Sequence, residues 1–92
     1  MSTTATKITK TKLNLSGAEV TYIKIYASTS NWEEYEQLFT TVIDDLKKQY
    51  KKWLYLGYKR SETNGYIGYF IAASYKLTKK EKILAEFYAA ND

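Results

Sequence analysis

The side chains on which this chain could run chemistry are few in kind. It has 10 tyrosines, 14 lysines and arginines, and 10 aspartates and glutamates, with no histidine and no cysteine. Without histidine there is no ready general base near neutral pH, no Ser-His-Asp or Cys-His arrangement, and no imidazole to ligate zinc or copper. Without cysteine there is no disulfide, thiolate nucleophile or sulfur metal ligand. The carboxylates do not make up the loss. Asp44 and Asp45 are adjacent in a helical pattern and diverge by about 100°, while Glu33, Glu34 and Glu36 read as first-turn charge that complements a helix dipole. No D-x-D metal loop, glycine-rich phosphate loop or H-E-x-x-H occurs. The expectation is a non-catalytic protein that holds no metal and no cofactor.

What remains is the chemistry of binding. A tyrosine buries a ring and keeps its hydroxyl wet, and a lysine pairs with phosphate or carboxylate. Interleaved over small residues, the two make a surface on which bases stack while phosphates are paired. Strand alternation places Tyr22, Lys24 and Tyr26 on one side of the run 19–27. In the run 53–75 it places Tyr55 and Lys59 opposite Tyr66 and Phe70, over Gly57, Gly68 and Ala72. All seven aromatic and lysine positions are expected on one open sheet face. Arg60 adds charge near the tip of that hairpin. Lys79, Lys80 and Lys82 open the last helix, where cations oppose the dipole and free amides welcome an anion. Lys47, Lys48, Lys51 and Lys52 instead suit a helix C-terminus, with Asp44 and Lys48 an i,i+4 pair.

The net charge of +4 permits a phosphate-bearing or acidic partner and is also an ordinary solubility charge. Three readings of the aromatic face follow. It binds nucleic acid; or it is a protein-interaction surface, as in a small accessory or inhibitor protein of a virus or mobile element, including a homodimer through the same face; or it is a solvated face on which tyrosine is a good strand former.

The elements that must position these residues are legible from period and punctuation. Residues 1–6 are small and polar and are expected to be a disordered tail before a single domain, 7–92. Lys7 to Leu15 reads as an edge strand whose lysines discourage edge pairing, Ser16-Gly17 as a turn, and Glu19 to Ala27 as a second strand. Trp32, Tyr35, Leu38, Phe39, Val42, Ile43, Leu46 and Tyr50 recur at three- and four-residue steps and predict a helix of about 20 residues, capped by Ser30 with Glu33. Asn64-Gly65 predicts a two-residue hairpin turn in which Thr63 faces Tyr66 and Arg60 faces Tyr69. Thr78 with Glu81 caps a final helix whose stripe is Ile83, Leu84, Phe87 and Tyr88. The expected fold class is α+β, in the order ββαββα: a mostly antiparallel four-stranded sheet with both helices packed on one face. With no apolar run long enough to span a bilayer and no secretory leader pattern, the chain is expected in the cytoplasm.

Overall fold

The computed structural model describes residues 6–15, 17–61 and 65–92. Its elements are β1 (Thr6–Leu15), β2 (Ala18–Ala27), α1 (Trp32–Gln49), β3 (Lys52–Ser61), β4 (Gly65–Ala73) and α2 (Lys79–Ala90). The order is the expected ββαββα, and the strands form one antiparallel sheet in the order β1-β2-β4-β3. β2 and β3 therefore run the same way with β4 between them, and α1 carries the chain across β4. The expected tail lies outside the described residues except for Thr6, which opens β1.

The helices do not share a face. α1 packs Ile43 and Leu46, with Phe39 and Val42, on Ile23, Ile25, Phe70 and Ala72. α2 packs Ala85 and Ala89 on Val20, Tyr22, Tyr69, Ile71 and Ala73. These sets are alternate residues of β2 and β4, so the helices cover opposite sides of the sheet. The reason lies in β4, whose run Tyr66-Ile67-Gly68-Tyr69-Phe70-Ile71-Ala72-Ala73 is apolar on both parities. A strand with two apolar faces needs cover on both. Phe70 and Ile71, neighbours pointing in opposite directions, are both completely buried.

Local signals set the helix ends. α1 is capped by Asn31 rather than Ser30: the Asn31 side chain accepts from the backbone N–H groups of Glu33 and Glu34. Thr29 takes up the Asn31 N–H at 3.1 Å and donates its hydroxyl to Glu34 at 3.3 Å. α2 carries the full reciprocal box, with the Glu81 N–H donating to the Thr78 hydroxyl and the Thr78 N–H to the Glu81 carboxylate. The buried face of α2 differs from the expected stripe, because Ala85 and Ala89 face the sheet while Ile83 and Phe87 point outward. The bulky rings of Tyr22 and Tyr69 already fill the space beneath α2, leaving room for alanines there.

The β3–β4 register also departs from the expected turn. Arg60 pairs with Tyr66 and Ser61 with Gly65, so the strands are offset by three residues from a two-residue Asn64-Gly65 loop. Asn64 lies outside the described residues. Gly65 belongs to β4, and its hydrogen atoms are needed for close approach: a Cβ there would lie 2.6 Å from the Ala27 carbonyl oxygen.

Candidate functional site

A β-bulge in β3 decides which side chains share a surface. Tyr55 pairs with Phe70 and Gly57 with Tyr69, leaving Leu56 as the extra residue between them. Gly57 has φ +99°, a conformation that L side chains rarely adopt. Before the bulge the odd residues Trp53 and Tyr55 lie on the α1 side. After it the even residues Tyr58 and Arg60 do, opposite Gly68 and Tyr66. The extra residue thus puts Trp53, Tyr55 and Tyr58 in one row along an edge strand.

That row is braced from below and open outward. Trp53 stacks on Phe70 with ring centroids 5.8 Å apart, Tyr55 leans on Phe39 at 5.1 Å, and Tyr58 stacks on Trp32 at 4.3 Å. The three remain 41%, 40% and 49% exposed. Behind them, Tyr35 and Tyr66 fill the angle between α1 and the sheet, their centroids 5.0 Å apart. Tyr35 can lie there because β4 carries glycine at position 68, where a Cβ would collide with the Phe39 ring and the Tyr35 hydroxyl. That hydroxyl is buried without a hydrogen-bond partner among the described residues, and burial pushes its pKa up.

Charge flanks the row. The Lys47 ammonium sits 4.5 Å from the Trp53 ring centroid, a cation–π contact at the C-terminal end of α1. Lys51 and Lys52 are exposed just before Trp53, and Arg60 is exposed beyond Tyr58. A shallow apolar pocket of about 310 Å³ opens beside Trp53 and Tyr55, with Asp44 and Lys47 among its lining. Such an arrangement offers planar rings for stacking, cations for phosphate, and one carboxylate and one ammonium for polar groups on a flat ligand.

The residues singled out from sequence are divided between the faces. Tyr55, Arg60, Tyr66 and Phe70 lie on the α1 side, and Tyr22, Lys24, Tyr26 and Lys59 on the α2 side. Two of them are withdrawn from solvent: Phe70 is wholly buried under α1, and Tyr22 is 3% exposed under α2. Phe70, expected on an open face, therefore lies beneath α1 and offers no contact surface to a partner. Tyr66 is half-buried behind the row. Lys79, Lys80 and Lys82 are exposed in the first turn of α2, away from the aromatic row. Sequence reasoning missed Trp32, Lys47, Trp53 and Tyr58. The signal that finds Tyr58 is Gly57, since an isolated glycine inside a strand marks a bulge and a bulge inverts parity beyond it.

On the α2 side, Tyr22, Lys24 and Lys59 gather around Asp92. The Tyr22 hydroxyl donates to Asp92 Oδ2 at 3.0 Å, and Lys24 Nζ lies 3.3 Å from the same oxygen. Lys59 Nζ donates to the Asp92 main-chain oxygen at 2.6 Å. Burial pushes the Tyr22 pKa up, and the Asp92 carboxylate adds to the shift. Among the described residues no cluster of three or more His, Cys, Asp or Glu is placed to hold a metal, and no helix is long and apolar enough to cross a membrane.

Compared with family models, curated proteins and solved structures, the chain matches none.

Proposed function

We propose that this protein is a non-catalytic binding module that takes single-stranded nucleic acid along the outer row of β3. The observation that carries the reading is the bulge-aligned row Trp53, Tyr55 and Tyr58, each ring braced on one side and 40% or more exposed. Trp53 and Tyr55, two apart on β3, are separated by roughly 6.6 Å, a step that an extended single strand can follow. Lys47, Lys51 and Lys52 at one end of the row and Arg60 at the other supply phosphate partners. Duplex DNA is not favoured, because the braced row Trp53, Tyr55 and Tyr58 lies along the edge strand β3 rather than on a helix that could enter a groove.

The test is fluorescence titration of the full chain with a short oligothymidylate, following Trp32 and Trp53. Replacing Trp53 or Tyr58 by Ala is expected to weaken binding by about 1–3 kcal/mol per lost base stack. Affinity is also expected to fall with rising salt, with a log–log slope of about −0.7 for each phosphate neutralised. Affinity indifferent both to salt and to Trp53→Ala would remove this reading.

A protein partner is the second reading. It is favoured by the outer face of α2, where Ile83 and Phe87, one turn apart, are 56% and 70% exposed. Large apolar side chains outside and alanines inside suit a helix that presents a surface as well as covering one. Retention of full oligonucleotide affinity in Phe87→Ser, with loss of a protein complex, would assign α2 to that role.

A further inference from the structure

Asp92 is held as a ligand would be. Its oxygens take three donors from two strands: the Tyr22 hydroxyl and the Lys24 ammonium from β2, and the Lys59 ammonium from β3. One donor is fixed in place, because the Tyr22 ring is 3% exposed and packs against Tyr69 at 6.1 Å and edge-on against Tyr88 at 5.0 Å. Lys24 stands opposite Tyr69 on β4 and Lys59 opposite Ile67, so the ammonium groups straddle that strand. Lys59 Nζ also lies 5.4 Å from the Tyr69 ring centroid. Around Asp92 is an open depression of about 410 Å³, lined by Lys24, Lys59, Arg60, Ile67 and Tyr69. The Lys24 ammonium thus meets the Asp92 side-chain carboxylate, the Lys59 ammonium meets its main-chain oxygen, and Arg60 adds a third cation to the lining. Three cations and a hydroxyl converging on one depression suit an anion richer in charge and acceptors than a carboxylate.

We propose that Tyr22, Lys24 and Lys59 form a phosphate-binding site that Asp92 fills as an internal competitor. A phosphoryl group has enough oxygens to accept from all three donors, with one oxygen replacing Asp92 Oδ2. Asp92 can yield without unfolding α2: it lies beyond the helix, and its N–H makes only a long bond of 3.3 Å to the Ala89 carbonyl. The site is on the opposite side of the sheet from the aromatic row and does not rest on the nucleic-acid reading.

The test is titration of the ¹⁵N-labelled full chain with inorganic phosphate and, separately, with a short oligothymidylate. The chains compared are the wild type, Asp92→Asn, and Asp92→Asn combined with Lys24→Gln. Removing the competing charge is expected to tighten phosphate binding about tenfold, the size of one charge-assisted contact. Amide shifts should centre on Tyr22, Lys24 and Lys59, and the gain should vanish in the double variant. A gain for oligonucleotide as well as phosphate identifies backbone phosphate as the source; a gain for phosphate alone identifies a small phosphorylated ligand. Both support the site. Equal phosphate affinity in wild type and Asp92→Asn overturns it, as does a gain that survives Lys24→Gln. Should Asp92→Asn not unfold cooperatively, Asp92→Ser carries the comparison. Trp53→Ala is expected to leave phosphate affinity unchanged, which separates failure here from failure of the aromatic row.

Discussion

A single residue, Gly57, governs the surface to which function is assigned. Its φ of +99° lets β3 absorb Leu56 as an extra residue and return Tyr58 to the side already bearing Trp53 and Tyr55. No atom lies within 4 Å of a Cβ built at position 57, so Gly57→Ala tests backbone conformation without a steric clash. An alanine held at that φ costs about 1–3 kcal/mol. If the chain instead expels the bulge, Tyr58 turns to the α2 side and loses its stack on Trp32. Urea unfolding should therefore show a stability loss of that size, and oligonucleotide affinity should fall as it does for Tyr58→Ala. Unchanged stability and unchanged affinity together would mean that the bulge does not set the row. The same residue explains why the candidate site was only half legible in the sequence. Strict alternation, continued through Gly57, groups Tyr55 with Lys59 and assigns Tyr58 to the core; the bulge reverses both placements. Phe70 was misplaced for a different reason: alternation says which residues share a face, but not that a helix covers it.

At the scale of elements, the capped helix starts were readable because their determinants are local. Thr78 and Glu81 are three residues apart and make the reciprocal contacts that their types imply. The hydrogen bond from the Thr78 backbone N–H, followed by that from the Thr78 hydroxyl, holds the Glu81 carboxyl below the ordinary glutamate range; desolvation opposes this, and the Tyr75 hydroxyl at 3.1 Å reinforces it. A carboxyl whose pKa is lowered by folding stabilises the fold above its unfolded value and loses that contribution as pH falls through the folded one. Thermal unfolding of wild type and Glu81→Gln should therefore differ at neutral pH, with the wild type more stable. The difference should shrink as pH falls below about 4.3, the unperturbed glutamate value, and close in strong acid. A gap that persisted undiminished there would deny the carboxylate its capping role. Thr78→Ala should lower stability by about 0.5–2 kcal/mol. The buried face of α2 was less legible than its cap. Ile83, Leu84, Phe87 and Tyr88 make a plausible apolar stripe, but the rings on the sheet beneath determine that Ala85 and Ala89 fit against it. That choice depends on contacts distant in sequence, which periodicity does not contain.

The whole molecule is a sheet covered unequally on its two sides. Element order and fold class were legible because hairpin, crossover helix and caps each leave a local mark; strand order and helix side were not, because they depend on which apolar surfaces meet. The doubly apolar β4 was the one sequence feature that pointed to cover on both faces. The two covers differ in kind. α1 lays Tyr35, Ile43 and Leu46 into the sheet, large side chains whose burial contributes about 1.5–3 kcal/mol each. α2 contributes Ala85 and Ala89, with Leu84 half-buried, and is held at its far end by Tyr88 against Tyr22 and by Asp92 on Lys24 and Lys59. A layer with few large buried side chains opens before the rest of the fold. In native-state hydrogen exchange, α2 amides should therefore exchange well before those of β4 and the middle of α1. β2 and β4, paired on both edges and covered on both faces, should exchange only with global unfolding. Phosphate at millimolar concentration should speed α2 exchange by displacing Asp92 from its donors, and Asp92→Asn should do the same without phosphate. If α2 proved as slow as β4 in both chains, the two helical layers would form one cooperative unit. Asp92, which lies beyond α2, would then contribute nothing to holding that helix, and its exchange for phosphate would leave the α2 amides undisturbed.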